Sequence, residues 1–180
     1  MGRFVVLLGA LLFALPAAGS QLIPQGLPDL AAGADLIFVG RCEAVAAHWN
    51  ADHTLIYTAN RFRIGRALKG APGETITLEE LGGTVGDQRL DVEQTPRFSV
   101  GEEVLLCARR TELGRWQTLG ATQGKFAVTR DRQGQLWVHS DFYQRDLAAM
   151  APNRKGPGGA PLAVFAGQVQ AAALKAKASR

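Results

Sequence analysis

Asp35-Leu36-Ile37-Phe38-Val39-Gly40-Arg41-Cys42-Glu43-Ala44-Val45 opens with apolar side chains at successive positions and then turns to alternation. A strand buried on both faces at one end and half-exposed at the other reads this way. Downstream, His48 to His53 (HWNADH) holds turn residues, and a second long strand is expected from Thr54 to about Ala67. There Ile56, Thr58, Phe62 and Ile64 share one face, with Arg61 and Arg63 on the other. Leu68 to Gly73 is a turn cluster, and Thr75 to Leu81 (TITLEEL) reads as a third strand rich in β-branched residues.

Further out, Gly82 to Phe98 is a long loop with a short extended piece around Arg89 to Val92. Glu103 to Arg109 (EVLLCAR) is the fourth strand. Trp116 to Leu119 and Lys125 to Thr129 make a fifth, interrupted near Gly120 and Gly124. A turn at Arg130 to Gly134 leads into Gln135 to His139. Short strands with such turns predict a mainly β chain built as a small barrel or sandwich. Past Met150 the composition shifts to a Gly/Pro linker, and Pro161 opens an Ala-rich helix to about Lys177. Leu162, Phe165, Val169 and Ala172 or Ala173 form its apolar stripe. That stripe is expected to dock on the body, the other option being a partner or membrane surface.

The 180 residues are 47% hydrophobic and 20% charged, which describes one globular domain with appendages and excludes a disordered chain or a disulfide-stapled miniprotein. Arg3, the apolar run Phe4 to Leu15, Pro16 and the small residues Ala17-Ala18-Gly19-Ser20 have the order of an export signal. The run is shorter than the roughly 20 residues that a membrane span requires. The expected mature chain begins at Ser20 or Gln21 and is secreted or periplasmic. The expected division is therefore a signal over 1–20, a barrel domain over 21–150, a linker over 151–160 and a basic helical tail over 161–180. The net charge of +4 is carried outside the body, because Arg3, Arg154, Lys155, Lys175, Lys177 and Arg180 together exceed it. The body is slightly acidic and shows no basic stripe, so no nucleic-acid partner is expected. The tail could touch an anionic envelope surface.

No motif advertises catalysis. His48 and His53 flank a turn with Asp52, too few ligands for a zinc site, so no metal or other cofactor is expected. His139-Ser140-Asp141 has the residue types of a hydrolase triad, but sequence neighbours diverge and no nucleophile elbow accompanies them. Gly82-Gly83-Thr84-Val85-Gly86 lacks a phosphate-loop ending. Glu79 and Glu80, or Glu102 and Glu103, point to opposite faces of a strand and cannot converge for acid–base work. Cys42 shares a face with Leu36 and Phe38 and should point inward. Cys107 shares its parity with Glu103 and Arg109, so a bulge is expected to turn it inward. The two cysteines are either bridged to one another or remain two free thiols.

ADLIFVGRCEAV (Ala34 to Val45), TLIYTANRFRIGRALKG (Thr54 to Gly70), GGTVGDQRLDVEQTPRFSVGEEVLLCARR (Gly82 to Arg110) and GRWQTLGATQGKFAV (Gly114 to Val128) resemble, in order and pattern, the N-terminal netrin-like domain of the tissue inhibitors of metalloproteinases. The resemblance covers roughly Leu27 to Val128 and implies a closed five-stranded barrel of OB type. In that family a disulfide-tethered N-terminal Cys chelates the protease zinc, and the loop after the third strand grips the cleft. The loop matches Gly83, Thr84 and Val85 here, whereas neither Ser20 nor Gln21 is Cys. The expectation is a monomeric, exported, non-catalytic binding module that engages a protein, with inhibition of a secreted protease as its sharpest variant. Its candidate contacts are Ser20, Gln21, His48, His53, Gly83, Thr84 and Val85. The alternative is an envelope-associated structural or interaction protein that makes its contacts through the basic tail.

Overall fold

The computed structural model describes residues 23–152 and 159–178. The expected signal, both candidate mature N-termini (Ser20 and Gln21) and most of the linker lie outside these residues. Within them, α1 (Leu27–Gly33) leads into β1 (Leu36–Trp49), β2 (Ile56–Lys69) and β3 (Thr75–Leu81). A small hairpin of β4 (Gly83–Val85) and β5 (Gln88–Leu90) follows, then β6 (Glu103–Arg110) and β7 (Trp116–Thr118). A 3-10 turn (Ala121–Gly124) separates β7 from β8 (Lys125–Arg130). The chain continues through β9 (Leu136–His139), α2 (Gln144–Ala149), β10 (Ala160–Pro161) and α3 (Leu162–Ala178).

Five strands close into a barrel in the order β1-β2-β3-β7-β6 and back to β1, the mainly β, five-stranded closure expected from the sequence. The β3–β7 contact is parallel and the other four are antiparallel. The expected fifth strand is two strands. β7 closes the barrel on the C-terminal end of β6, and β8 pairs with Val104 to Leu106 of β6 and carries β9 and β10 away from the barrel. The 3-10 turn between them redirects the chain, starting from Gly120 in a left-handed conformation.

This branching leaves two apolar layers sharing β1 and β6. Inside the barrel lie Leu36, Phe38, Cys42, Phe62, Ile76, Leu78, Phe98, Val104, Leu106 and Ala108. Outside it, Ile37, Val39, Leu105, Cys107, Phe126, Val128 and Val138 pack beneath α1, α2 and α3. Consecutive residues Val104 to Ala108 are all buried, because each face of β6 meets a core. No bulge is needed to turn Cys107 inward: its register with β1 is unbroken, and it faces the outer layer. β1 approaches β2 closely at Gly40, whose missing Cβ would fall 2.7 Å from the Arg63 carbonyl oxygen.

The register also separates the cysteines. Ile37 lies across from Cys107, while the Cys42 N–H donates to Glu102. Cys42 lies five positions beyond Ile37 along β1, about 17 Å of strand. A bridge needs Cα atoms within about 7 Å, so the possible Cys42–Cys107 disulfide is corrected to two buried free thiols in different cores.

The stripe of α3 docks. Leu162, Phe165, Ala166 and Val169 are buried in the outer layer, with the Phe165 ring 5.0 Å from that of Phe126. Pro161, expected at the first helical position, instead lies in β10 opposite Trp137. The helix that follows the linker is thus part of the packing of the barrel's outer face. The two short helices were not read from the sequence. α1 carries Pro at its start and Asp29 in its first turn, and Lys69 donates to the Ala31 and Ala32 carbonyls at its other end.

Candidate functional site

The inward face of β2 runs Ile56, Thr58, Asn60, Phe62, and that of β3 runs Ile76, Leu78, Glu80. Phe62, Ile76 and Leu78 fill the barrel, but toward the hairpin end the same faces turn polar. Thr58 pairs across the strands with Glu80, and Asn60 with Leu78. Above these residues the segment from Gly82 to Phe98 folds back, and a cleft of about 400 Å³ lies between the two. Val45 and Ala47 of β1 line one side, and Leu90, Val92, Pro96 and Phe98 line another.

Gly83 seats the hairpin. Its φ is 139°, and a Cβ there would fall 2.5 Å from the Thr58 hydroxyl and 3.1 Å from Ala47. The Thr58 hydroxyl donates to the Gly82 carbonyl at 2.6 Å, tying the hairpin to β2. β4 and β5 pair Gly83 with Leu90, Thr84 with Arg89 and Val85 with Gln88. At the rim, Arg89 and Arg97 both donate to Asp91. The two guanidinium groups hold the Asp91 carboxyl below its ordinary range.

The floor is buried. Glu80 is 6% exposed, and its Oε1 accepts from the Thr118 backbone N–H at 2.8 Å and from the Thr118 hydroxyl at 2.6 Å. Burial nevertheless raises its pKa to about 7, outweighing the two hydrogen bonds. Asn60 is 1% exposed; its Nδ2 donates to the Thr58 carbonyl, and its Oδ1 has no partner. The cleft thus combines apolar walls with a few buried polar groups, the make-up common to small-ligand sites.

The residues singled out from the sequence fall in three places. Gly83 and Thr84 line the cleft, and Val85 continues the hairpin above it. His48 sits on the other face of β1, stacked on Tyr57 and 4.0 Å from the Glu79 carboxylate, which also takes a hydrogen bond from Arg115. His53 stacks on Trp49 in the turn between β1 and β2, where Asn50 Oδ1 accepts from the Thr54 and Leu55 N–H groups. The imidazoles are therefore not brought into the cleft with Gly83 and Thr84. Glu79 and Glu80 do diverge to opposite faces. Among the described residues no three His, Cys, Asp or Glu side chains cluster so as to hold a metal ion.

Sequence reasoning passed over Asn60 and Glu80 as site residues, although the pattern marks both. Each is a polar residue standing on an otherwise apolar face, Asn60 between Thr58 and Phe62 and Glu80 two after Leu78. With the geometry in hand, comparison with known proteins adds no name: no family model matches the chain, and a search of curated proteins finds no match.

Proposed function

We propose that this protein is an exported, non-catalytic binding module of OB type, which engages a protein partner through the cleft and the β4–β5 hairpin. The observation that carries the reading is the polar floor of the cleft, with Asn60 and Glu80 buried beneath a hairpin that Gly83 seats against β2. The walls offer apolar surface, and the rim offers Arg89, Arg97 and Asp91 for polar contacts with a polypeptide. The resemblance to the tissue inhibitors of metalloproteinases supports the same region, since Gly83, Thr84 and Val85 match their gripping loop. Neither Ser20 nor Gln21 supplies the family's chelating cysteine, so tight inhibition of zinc proteases is not expected from this chain.

The apolar stripe of α3 is occupied within the outer core, so in the alternative reading a contact of the tail with an anionic surface would be made by its basic side chains. The test is photocrosslinking in the secreted or periplasmic fraction, with the photoreactive group placed at Thr84 and, as a control, at Arg132. Both positions are exposed. A discrete adduct at Thr84 and none at Arg132 is expected. Equal labelling at both positions, or none at Thr84, would overturn the reading.

A further inference from the structure

The two buried polar side chains at the floor of the cleft are each incompletely matched: Asn60 presents an acceptor without a donor, and Glu80 a carboxyl group without a basic partner among the described residues. The Asn60 Nδ2 donates to the Thr58 carbonyl at 3.0 Å, an oxygen that can only accept. The amide therefore cannot be turned over, and the unpartnered atom is the acceptor Oδ1. Among the described residues Glu80 receives hydrogen bonds only from Thr118, and no Lys, Arg or His pairs with it. The β2–β3 register makes Asn60 and Glu80 diagonal neighbours on one face, close enough for a single bound group to serve both. An orphaned acceptor and an uncompensated buried carboxylate each destabilise the fold. One cationic donor would relieve both.

The walls say what carries that donor. Val45, Ala47, Leu81, Leu90, Val92 and Phe98 line the route to the floor with apolar surface. A methylene stem suits such walls, and a compact ammonium with three N–H donors suits a floor of acceptors. We infer that the cleft is a seat for a lysine side chain of the protein partner, its ammonium held by Asn60 Oδ1 and the Glu80 carboxylate. Asp91 bridges Arg89 and Arg97 and so offsets part of the positive charge at the rim. The remaining guanidinium N–H groups are donors for backbone carbonyls of the segment bearing the lysine. This inference rests on the partner-binding reading above and specifies the group recognised.

The test is a titration of the full, isotope-labelled protein with n-butylammonium, and with 1-butanol and butyrate as comparators, read by nuclear magnetic resonance. Saturable shifts are expected at the Asn60 side-chain amide and at the Gly82 and Gly83 backbone amides with n-butylammonium. Binding of the two comparators should be weaker by about tenfold or more, the value of a charge-assisted hydrogen bond. Asn60→Leu should abolish the response while raising the unfolding midpoint, since it removes a buried orphaned acceptor. Glu80→Gln, which keeps the shape and removes the charge, should also lose it. Equal binding of butyrate or butanol, no saturable shift, or a full response in folded Asn60→Leu would each overturn the lysine assignment. A Thr84 adduct without an n-butylammonium response would strike the lysine assignment alone. An n-butylammonium response without a Thr84 adduct would strike the partner reading.

Discussion

Glu80 is buried beside Thr118 with no basic side chain paired to it among the described residues. Its folded pKa of about 7 lies above the ordinary 4.5, so the native state holds a proton that the unfolded chain releases. Stability from this group is fully present below pH 4.5 and is lost as pH rises through 7. That rise corresponds to about 3 kcal/mol. Urea unfolding between pH 5 and pH 8 should therefore show stability falling as pH rises, with most of that slope absent in Glu80→Gln. A slope unchanged by the substitution would mean that other groups carry the pH dependence. The same burial that raises the pKa makes the ionised carboxylate a poor tenant without a countercharge, which links this measurement to the lysine seat. The polar interruption of an apolar face was legible at Asn60 and Glu80. Their burial was not, because it depends on the Gly82–Phe98 segment folding back over them.

At the scale of single elements, the pairing of β1 with β6 decides the fate of the cysteines. Alternation placed Cys42 inward correctly, but alternation along one strand carries no information about register between two. With Cys107 opposite Ile37, the thiols face different cores. Burial raises the Cys107 pKa to about 12 and pushes the Cys42 thiol up as well. We expect two thiols per chain to react under non-reducing denaturation, and both to react slowly in the native protein. Recovery of an unreactive, oxidised pair would contradict the register. The interrupted fifth strand teaches the same lesson. Gly120 and Gly124 marked the break, yet only pairing shows β7 closing the barrel while β8 leaves it.

Over the whole molecule, the barrel and its helical layer share β1 and β6 as common walls, so the outer layer is part of what stabilises the barrel. Phe165 is fully buried with its ring tilted against that of Phe126, which itself stacks on Tyr143. Phe165→Ala should cost about 3–5 kcal/mol, and removal of residues 153–180 should abolish cooperative unfolding by uncovering the outer core. A truncated protein that melts as sharply as the full chain would show that the barrel stands without α3. The mainly β class, most strand positions and the amphipathic stripe of the last helix were readable along the chain, because these follow from periodicity and turn chemistry, which are local. Gly83 stood out there too, and its missing side chain lets the hairpin approach β2. The closed fold alone set that β6 is buried on both faces, that the cysteines lie apart, that α3 completes a core, and that Asn60 and Glu80 form one floor. Each of these depends on which strands meet and in what register, a property of the closed barrel that no single segment contains.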